Sequence, residues 1–135
     1  MTNRLDHELN FSRQALNLRG YRQELLASNI ANADTPHYKA RDIDFKAALA
    51  AQLGGSSAND VQLNRTSARH LGESDGGMPG VRSQYRSEYQ GSVDGNTVNM
   101  DIERGAFAEN AVQMEALLTF IKENVKAMNL ALQGQ

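Results

Sequence analysis

The chain has 135 residues, with 14 basic and 16 acidic side chains, a formal net charge of −2 and no cysteine. This length allows a single domain, and the slightly acidic balance excludes a sequence-wide attraction to nucleic acid or anionic lipid. Without cysteine, disulfides, thiolate metal sites and cysteine nucleophiles are excluded as well.

The first predicted element is a long helix from about residue 3 to residue 33, because this stretch has no proline and one glycine. Two adjacent apolar tracks run along it, and such a helix is expected to contact more than one neighbour. Pro36 ends it. The first track consists of Leu5, Leu9, Leu16, Leu26 and Ile30, and the second of Phe11, Ala15, Leu18 and Leu25.

The N-terminal ten residues carry charges and lack the apolar stretch of a cleavable secretory signal. No window approaches the length of a membrane span either. We therefore expect no cleaved signal and no direct membrane span.

The middle of the chain, residues 36–98, shows no sustained periodicity. Glycine-rich runs at residues 54–57 and 72–80 predict a flexible linker. Near the end of this region, Val93–Val98 contains an Asp-Gly pair that favours a tight turn and is compatible with a short β-hairpin.

The last predicted helix, within residues 99–135, shows the strongest periodicity of the chain. Apolar residues recur at alternating spacings of four and three, which is typical of a helix packed along another helix. Asn99 is the expected N-cap and Gly134 the expected stop. Polar residues such as Glu109, Asn110 and Gln113 are predicted to face solvent. The apolar seam consists of Phe107, Ala111, Met114, Leu118, Ile121, Val125, Met128 and Leu132.

These elements predict a mainly α fold in which the two terminal helices form an antiparallel, coiled-coil-like pair around an irregular centre. The seam residues of both helices could simply form the core of a small bundle. The pattern favours intermolecular packing, because two long apolar helices with a weak middle would leave much apolar surface in water.

The sequence offers no catalytic, cofactor or metal site. The three histidines, at positions 7, 37 and 70, are too scattered for a local metal-binding motif. Asp42 and Asp44 alternate with Ile43, as in a short extended segment with both acids facing water. An enzyme would need a pocket of converging carboxylates that the sequence does not indicate.

Residues 26–41 resemble the N-terminal signature of the flagellar axial proteins, the rod and hook family, whose pattern is Ala-Asn-x-x-Thr-x-Gly-Tyr. Ala31, Asn32, Thr35 and Tyr38 match that pattern, and Pro36 lies within it. Residues 39–45, 94–104 and 107–111 are similar to the proximal rod members of the family. His37 stands where the family usually has glycine, so we expect a type I turn with Pro36 at its first central position.

The resemblance implies a structural subunit of the flagellar basal-body rod that polymerises helically, transmits motor torque and lines the export channel. It implies that residues 1–35 and 99–135 form an inner core domain, with residues 36–98 as signature turn and linker. Implied partners are the chain itself, other rod proteins, the adaptor and membrane ring at the rod base, and the type III export apparatus. The implied location is the periplasm-spanning rod, reached by export without a cleaved signal.

Two questions stay open at this point. Tyr38, Lys39 and Arg41 are candidates for contacts between subunits, although Tyr38 could instead pack against its own C-terminal helix. Size and heptads alone would also permit a non-polymerising helical adaptor or chaperone-like module, which would bind one partner at a defined stoichiometry.

Overall fold

The computed structural model describes residues 2–54, 81–87 and 92–134. The described residues form three helices and two short strands. In chain order these are α1 (Thr2–Ala31), β1 (Arg41–Asp42), α2 (Phe45–Leu53), β2 (Gln84–Tyr85) and α3 (Met100–Gln133). The glycine-rich run at residues 72–80, and all but the first residue of the run at 54–57, lie outside the described residues.

The terminal helices α1 and α3 pack against each other in opposite directions. Arg19 contacts Asn110, and ten residues later in α1 Asn29 contacts Glu103, which lies earlier in α3. At 1.5 Å per residue the helices are about 45 and about 51 Å long. The predicted mainly α fold with an antiparallel terminal pair is confirmed.

Local signals set both ends of α3. The side chain of Asn99 accepts hydrogen bonds from the backbone N–H groups of Asp101 and Ile102, and Gly134 adopts the left-handed conformation that terminates helices. The cap and the stop are therefore as predicted. Helix α1 ends at Ala31, two residues before the predicted end.

The two strands pair with each other although they lie far apart in the sequence. β1 and β2 are antiparallel, with Arg41 opposite Tyr85 and Asp42 opposite Gln84. Residues 92–99 contain no strand, so the hairpin considered at Val93–Val98 does not form there. The backbone of that stretch instead bonds to the segment after α1: the His37 N–H donates to Asp94 O at 3.1 Å and the Thr97 N–H to Tyr38 O at 3.0 Å.

Helix α2 is an element that the sequence reading missed, because its Ala-rich run has no polar face to reveal a helical period. Asp44 caps it by accepting from the Ala47 N–H at 3.1 Å. The helix packs on α1. A small core forms there from buried Leu18, Leu25, Ile43 and Val81.

The small core explains why α1 carries two apolar tracks. Leu18 and Leu25 of the second track face α2 and the segment around β1, while another side of α1 contacts α3. The prediction that α1 contacts more than one neighbour is confirmed. None of the described helices is long and apolar enough to cross a membrane.

Candidate functional site

The end of α1, the start of α3 and the segments near β1 and β2 meet at one place, which we call the junction. Asn29, Asp42, Arg86, Asn96 and Glu103 form its polar interior. Asn29, Arg86 and Glu103 come from three different segments of the chain. The sequence did not indicate that any of them would lie in the interior.

Asn29 is fully buried, and both the nitrogen and the oxygen of its side-chain amide form hydrogen bonds. Its Nδ2 donates to Arg41 O at 2.8 Å and to Glu103 Oε2 at 3.1 Å, and its Oδ1 accepts from the Arg41 N–H at 3.1 Å. A buried amide with both donors and its acceptor satisfied fixes the neighbouring backbone. Asn29 therefore holds the start of β1 against both long helices.

Glu103 opens a chain of ion pairs through the junction. Its Oε1 accepts from Arg86 Nη1 at 2.7 Å, and Arg86 Nη2 reaches Asp42 Oδ2 at 2.5 Å. Asp42 also binds Arg22 in two parallel bonds, of 2.9 and 3.0 Å. The network thus links α3, the residue after β2, β1 and α1 by charge-assisted hydrogen bonds.

This network shifts the pKa values of two of its members, Asp42 and Arg22. Burial alone would raise the pKa of Asp42, but hydrogen bonds from Arg22 and Arg86 outweigh it and hold that pKa below its ordinary value. The hydrogen bond from Asp42 in turn raises the pKa of Arg22. The prediction that Asp42 faces water is wrong, since Arg22 and Arg86 cover its carboxylate; Asp44, in contrast, is exposed.

Asn96 fastens the segment before α3 to the end of α1. Its Nδ2 donates to the carbonyls of Asn32, Ala33 and Thr35 at 3.1, 2.7 and 2.9 Å, and its Oδ1 accepts from the Val98 N–H at 2.8 Å. These three carbonyls belong to residues just after the end of α1, and one buried side chain binds all of them.

The turn after α1 persists, but not in the expected geometry. The Tyr38 N–H donates to Thr35 O at 3.3 Å, which closes a turn over Pro36 and His37. His37 has φ 60°, whereas a type I turn needs a negative value. Proline at the first central position and positive φ at the second describe a type II turn, so the type I expectation is wrong.

The motif residues serve mainly this turn. The side chain of Asn32 donates to Ser28 O at 2.8 Å, and the Thr35 hydroxyl donates to Asn32 Oδ1 at 3.2 Å. The half-buried Tyr38 donates to Asn29 Oδ1 at 3.4 Å and lies 3.1 Å from Ser28 Oγ. Tyr38 therefore bonds to α1 of its own chain. Ala31, Pro36 and Lys39 are exposed, and Arg41 is half-buried.

The apolar seam predicted on α3 does not coincide with the most deeply buried face of that helix; it lies next to it. Its members are half-buried except Val125 and Leu132, which are exposed. The fully buried positions of α3 are Glu103 and Asn110, seven residues apart and so on one face. Asn110 donates to Arg19 O at 2.9 Å and to Gln23 Oε1 at 2.6 Å, so the prediction that it faces solvent is wrong.

The seam predicted on α1 is covered more completely. Leu26 is fully buried, and Leu9, Leu16 and Ile30 are half-buried. The side chain of Leu5 lies outside the described part of the molecule.

Much apolar surface of α3 remains open to solvent. Val112 is 70% and Phe120 56% exposed, and Leu132 is 84% exposed. Among the described residues no group of three or more His, Asp or Glu is placed to hold a metal ion. The described residues thus form a hydrogen-bonded polar junction beside a helix, α3, that exposes several large apolar side chains.

Comparison with known proteins fits this geometry. Residues 9–39, which include α1 beyond its first turns and the turn after it, match the family model described as flagella basal body rod protein. The chain is 46% identical to the flagellar basal body rod protein FlgB of Proteus mirabilis strain HI4320 over 139 residues, covering 98% of each chain. It is also 46% identical to the FlgB proteins of Salmonella typhimurium and Escherichia coli K12, covering 99% of each chain.

The chain belongs to the FlgB family of flagellar basal body rod proteins. It is accordingly a structural, non-enzymatic component of the rod. The family match ends one residue after Tyr38 and so contains Asn29, the residue that α1 contributes to the junction. The matched segment is thus the helix and turn onto which the rest of the described chain packs.

Proposed function

We propose that this FlgB-family chain is a proximal rod subunit whose paired helices pack side by side with helices of neighbouring subunits. Residues 1–35 and 99–135 form the inner core domain that surrounds the export channel, and residues 36–98 join its two parts. The junction fixes how the two helices are held relative to each other. The exposed side of α3 supplies the contact surface.

The observation that carries this proposal is the apolar surface on α3 that α1 leaves uncovered. Phe120, at 56% exposure, and Val112, at 70%, both lie outside the line that faces α1. Large apolar side chains exposed together on one helix mark interaction surfaces in soluble proteins. Helices of adjacent subunits would bury these side chains.

Side-by-side packing of helices would also suit a subunit that transmits torque. Long helices laid side by side distribute load over many contacts, and interiors packed in this way resist deformation. We propose that the neighbours are copies of this chain and other rod proteins, with the rod-base adaptor and membrane ring at one end. The subunits reach the rod through the flagellar type III export apparatus.

Complementation of a strain lacking this protein tests the proposal. Leu118→Asp places a carboxylate in the predicted seam, and Phe120→Asp places one on the open side of α3. Each should stop rod formation, because an unpaired carboxylate in an apolar contact costs about 3 kcal/mol or more per subunit. Rods are scored by imaging and mutant export by immunoblot, with the exposed Glu115→Ala as the matched control.

Phe120→Asp also separates assembly from folding, because Phe120 is 56% exposed in the single chain and its replacement should change the unfolding midpoint of the purified chain little. Normal rods from both aspartate variants would contradict the side-by-side packing. In that event a saturable complex of fixed stoichiometry with one partner would favour the adaptor function instead.

A further inference from the structure

The buried face of α3 is polar, although the same helix carries an apolar seam. Its buried residues are Glu103 and Asn110, whereas the seam residues Ala111, Met114 and Leu118 are only half-buried. Burial of apolar surface is the dominant favourable term when helices pack. An interaction other than apolar burial must therefore decide which face of α3 turns toward α1.

The side chain of Asn110 makes such an interaction. Its Nδ2 donates to Arg19 O at 2.9 Å and to Gln23 Oε1 at 2.6 Å, and its Oδ1 accepts from Arg19 Nη1 at 3.3 Å. Arg19 and Gln23 lie four residues apart and so are neighbours on one side of α1. These three hydrogen bonds restrict the rotation of α3 about its own axis at Asn110.

The partner side chain of Arg19 is itself held by α2. Its guanidinium lies over the ring of Phe45, 3.7 Å from the ring centroid, and Phe45 is the first residue of α2. The electron-rich face of an aromatic ring attracts a cation in this position. Asn110 therefore binds a guanidinium that α2 has already placed.

The seam lies to one side of the face that Asn110 turns toward α1. Because an α-helix turns about 100° per residue, Met114 lies about 40° and Leu118 about 80° from Asn110 in one direction. Leu117 lies about 20° from Asn110 in the other direction. A rotation of α3 that centred the seam on α1 would therefore move Leu118 inward and Leu117 outward.

The contact of Asn110 opposes both a rotation and a slide of α3. A rotation would carry its amide away from Arg19 and Gln23, and buried polar groups that lose their partners cost free energy. A slide by one heptad toward the end of α1 would place Asn110 opposite Leu26 and Ile30, seven residues further along, whose side chains offer no hydrogen bond.

We infer that Asn110 is a positioning residue: together with Arg19 and Gln23 it holds α3 in a rotation that keeps the apolar seam half-exposed. An apolar layer at the same place would pack the helices at least as tightly without fixing this rotation. The inference rests on the proposed function in one respect, because under that function the half-exposed seam stays available to helices of neighbouring subunits.

Thiol reactivity measures this rotation, because the natural chain has no cysteine. Leu117→Cys and Leu118→Cys form a matched pair, since the two leucines are adjacent and both half-buried. Each is made in the natural chain and in the Asn110→Leu/Gln23→Leu variant. In that variant the modification rate should fall several-fold for Leu118→Cys and rise several-fold for Leu117→Cys. Glu103 still holds the start of α3, so both reporters lie beyond Asn110.

Two controls separate rotation from loosening of the fold. Val112→Cys is 70% exposed at the natural residue and should react at the same rate with and without Asn110. Asn17→Leu makes the same kind of substitution at an exposed position of α1 and should leave the rates at Leu117→Cys and Leu118→Cys unchanged. General loosening would raise both of these rates, whereas rotation changes them in opposite directions.

Unchanged rates, or changes of the same sign at positions 117 and 118, would overturn the inference. If circular dichroism shows that the double variant has lost helix, Asn110→Ala decides the same comparison, because it removes all three hydrogen bonds without adding volume. Loss of helix in both variants would show that Asn110 serves folding as a whole and would overturn the inference as well. Side-by-side packing is tested separately, by complementation with Leu118→Asp and Phe120→Asp.

Discussion

Asn29 of α1 and Glu103 of α3 lie side by side in the interior, joined by a hydrogen bond of 3.1 Å between residues 74 positions apart. Both side chains are almost completely buried. Glu103 also binds Arg86, so a single carboxylate connects the two long helices to the segment after β2. The Glu103 carboxylate is therefore the group through which α1, α3 and the segment after β2 are connected.

Glu103→Ala should therefore destabilise the fold strongly. It leaves Arg86 Nη1 and one of the two Asn29 Nδ2 hydrogens without the carboxylate that accepts from them, and breaking a buried ion pair by removing one partner costs about 3 kcal/mol or more. Urea unfolding followed by circular dichroism measures the change. Glu123→Ala, an exposed position on the same helix, serves as the control and should stay within about 0.5 kcal/mol of the natural chain. Equal midpoints for the two variants would contradict the central place of Glu103.

The acid stability of the protein should depend on Asp42. Its folded pKa lies below the ordinary value because Arg22 and Arg86 hold the charged form. A depressed folded pKa adds stability above the unfolded pKa, about 3.9, and that stability is lost as pH falls through the lower folded value. Unfolding free energy measured from pH 7 to pH 3 should thus drop below about pH 4.

Asp42→Asn provides the comparison for this pH dependence. The variant should be less stable at pH 7, because a neutral amide cannot form the ion pairs that the Asp42 carboxylate makes with Arg22 and Arg86. It should also lose less stability on acidification than the natural chain. Parallel pH profiles for the two proteins would show that another carboxylate causes the acid transition.

The sequence predicted what local interactions determine. Asn99 caps α3 through N–H groups two and three residues away, and Gly134 ends it through its own backbone conformation, so both were readable from neighbouring residues. The apolar periods located the long helices for the same reason. Helix α2 was not predicted because its Ala-rich run is apolar on every side. Asp44, directly before it, was nevertheless a usable capping signal.

The junction could not be predicted in this way. Asn29, Arg86 and Glu103 read as ordinary polar residues on helices or in a loop, and they become interior only when distant segments meet. The burial of Asn110 follows from the rotation of α3 about its axis, which the heptad pattern leaves free by roughly one residue position. Polar residues that hold a helix pair together are invisible to a reading that assigns burial by hydrophobicity.

His37→Gly should stabilise the protein. His37 holds φ 60°, a conformation that costs a residue with a Cβ roughly 1 kcal/mol and costs glycine almost nothing. The expected gain is up to about 1 kcal/mol, reduced by the greater freedom of glycine in the unfolded chain. His7→Gly is the control, because His7 is exposed within α1 and glycine there should destabilise by up to about 1 kcal/mol. A loss of stability from both substitutions would argue against strain at His37.

Asn96→Ala should weaken the attachment of residues 92–98 to the end of α1. The substitution removes the donor shared by three carbonyls after α1 and leaves the Val98 N–H without its acceptor. A cost of about 1–3 kcal/mol follows for buried groups that lose their partners. Hydrogen exchange should show faster exchange of the Thr97 N–H, while Asn17→Ala, at an exposed position of α1, should leave that rate unchanged. An unaltered hydrogen-exchange rate of the Thr97 N–H in Asn96→Ala would contradict the attachment through Asn96.

Gly95→Ala should destabilise the protein for two separable reasons. Gly95 has φ +72°, which disfavours any residue with a Cβ, and a Cβ placed there would lie 2.9 Å from His37 Nδ1. Gly105→Ala is the matched control of opposite sign, since Gly105 lies within α3 with open space around it and should gain about 1 kcal/mol.

The double variant His37→Gly with Gly95→Ala divides the two causes at Gly95. Removing the imidazole relieves the contact but leaves the backbone strain, so the cost of Gly95→Ala should fall to about 1 kcal/mol in the His37→Gly background. Unfolding midpoints of the four proteins give the coupling energy between the two positions. Strict additivity would show that the ring moves aside without cost and that the backbone conformation alone selects glycine at position 95.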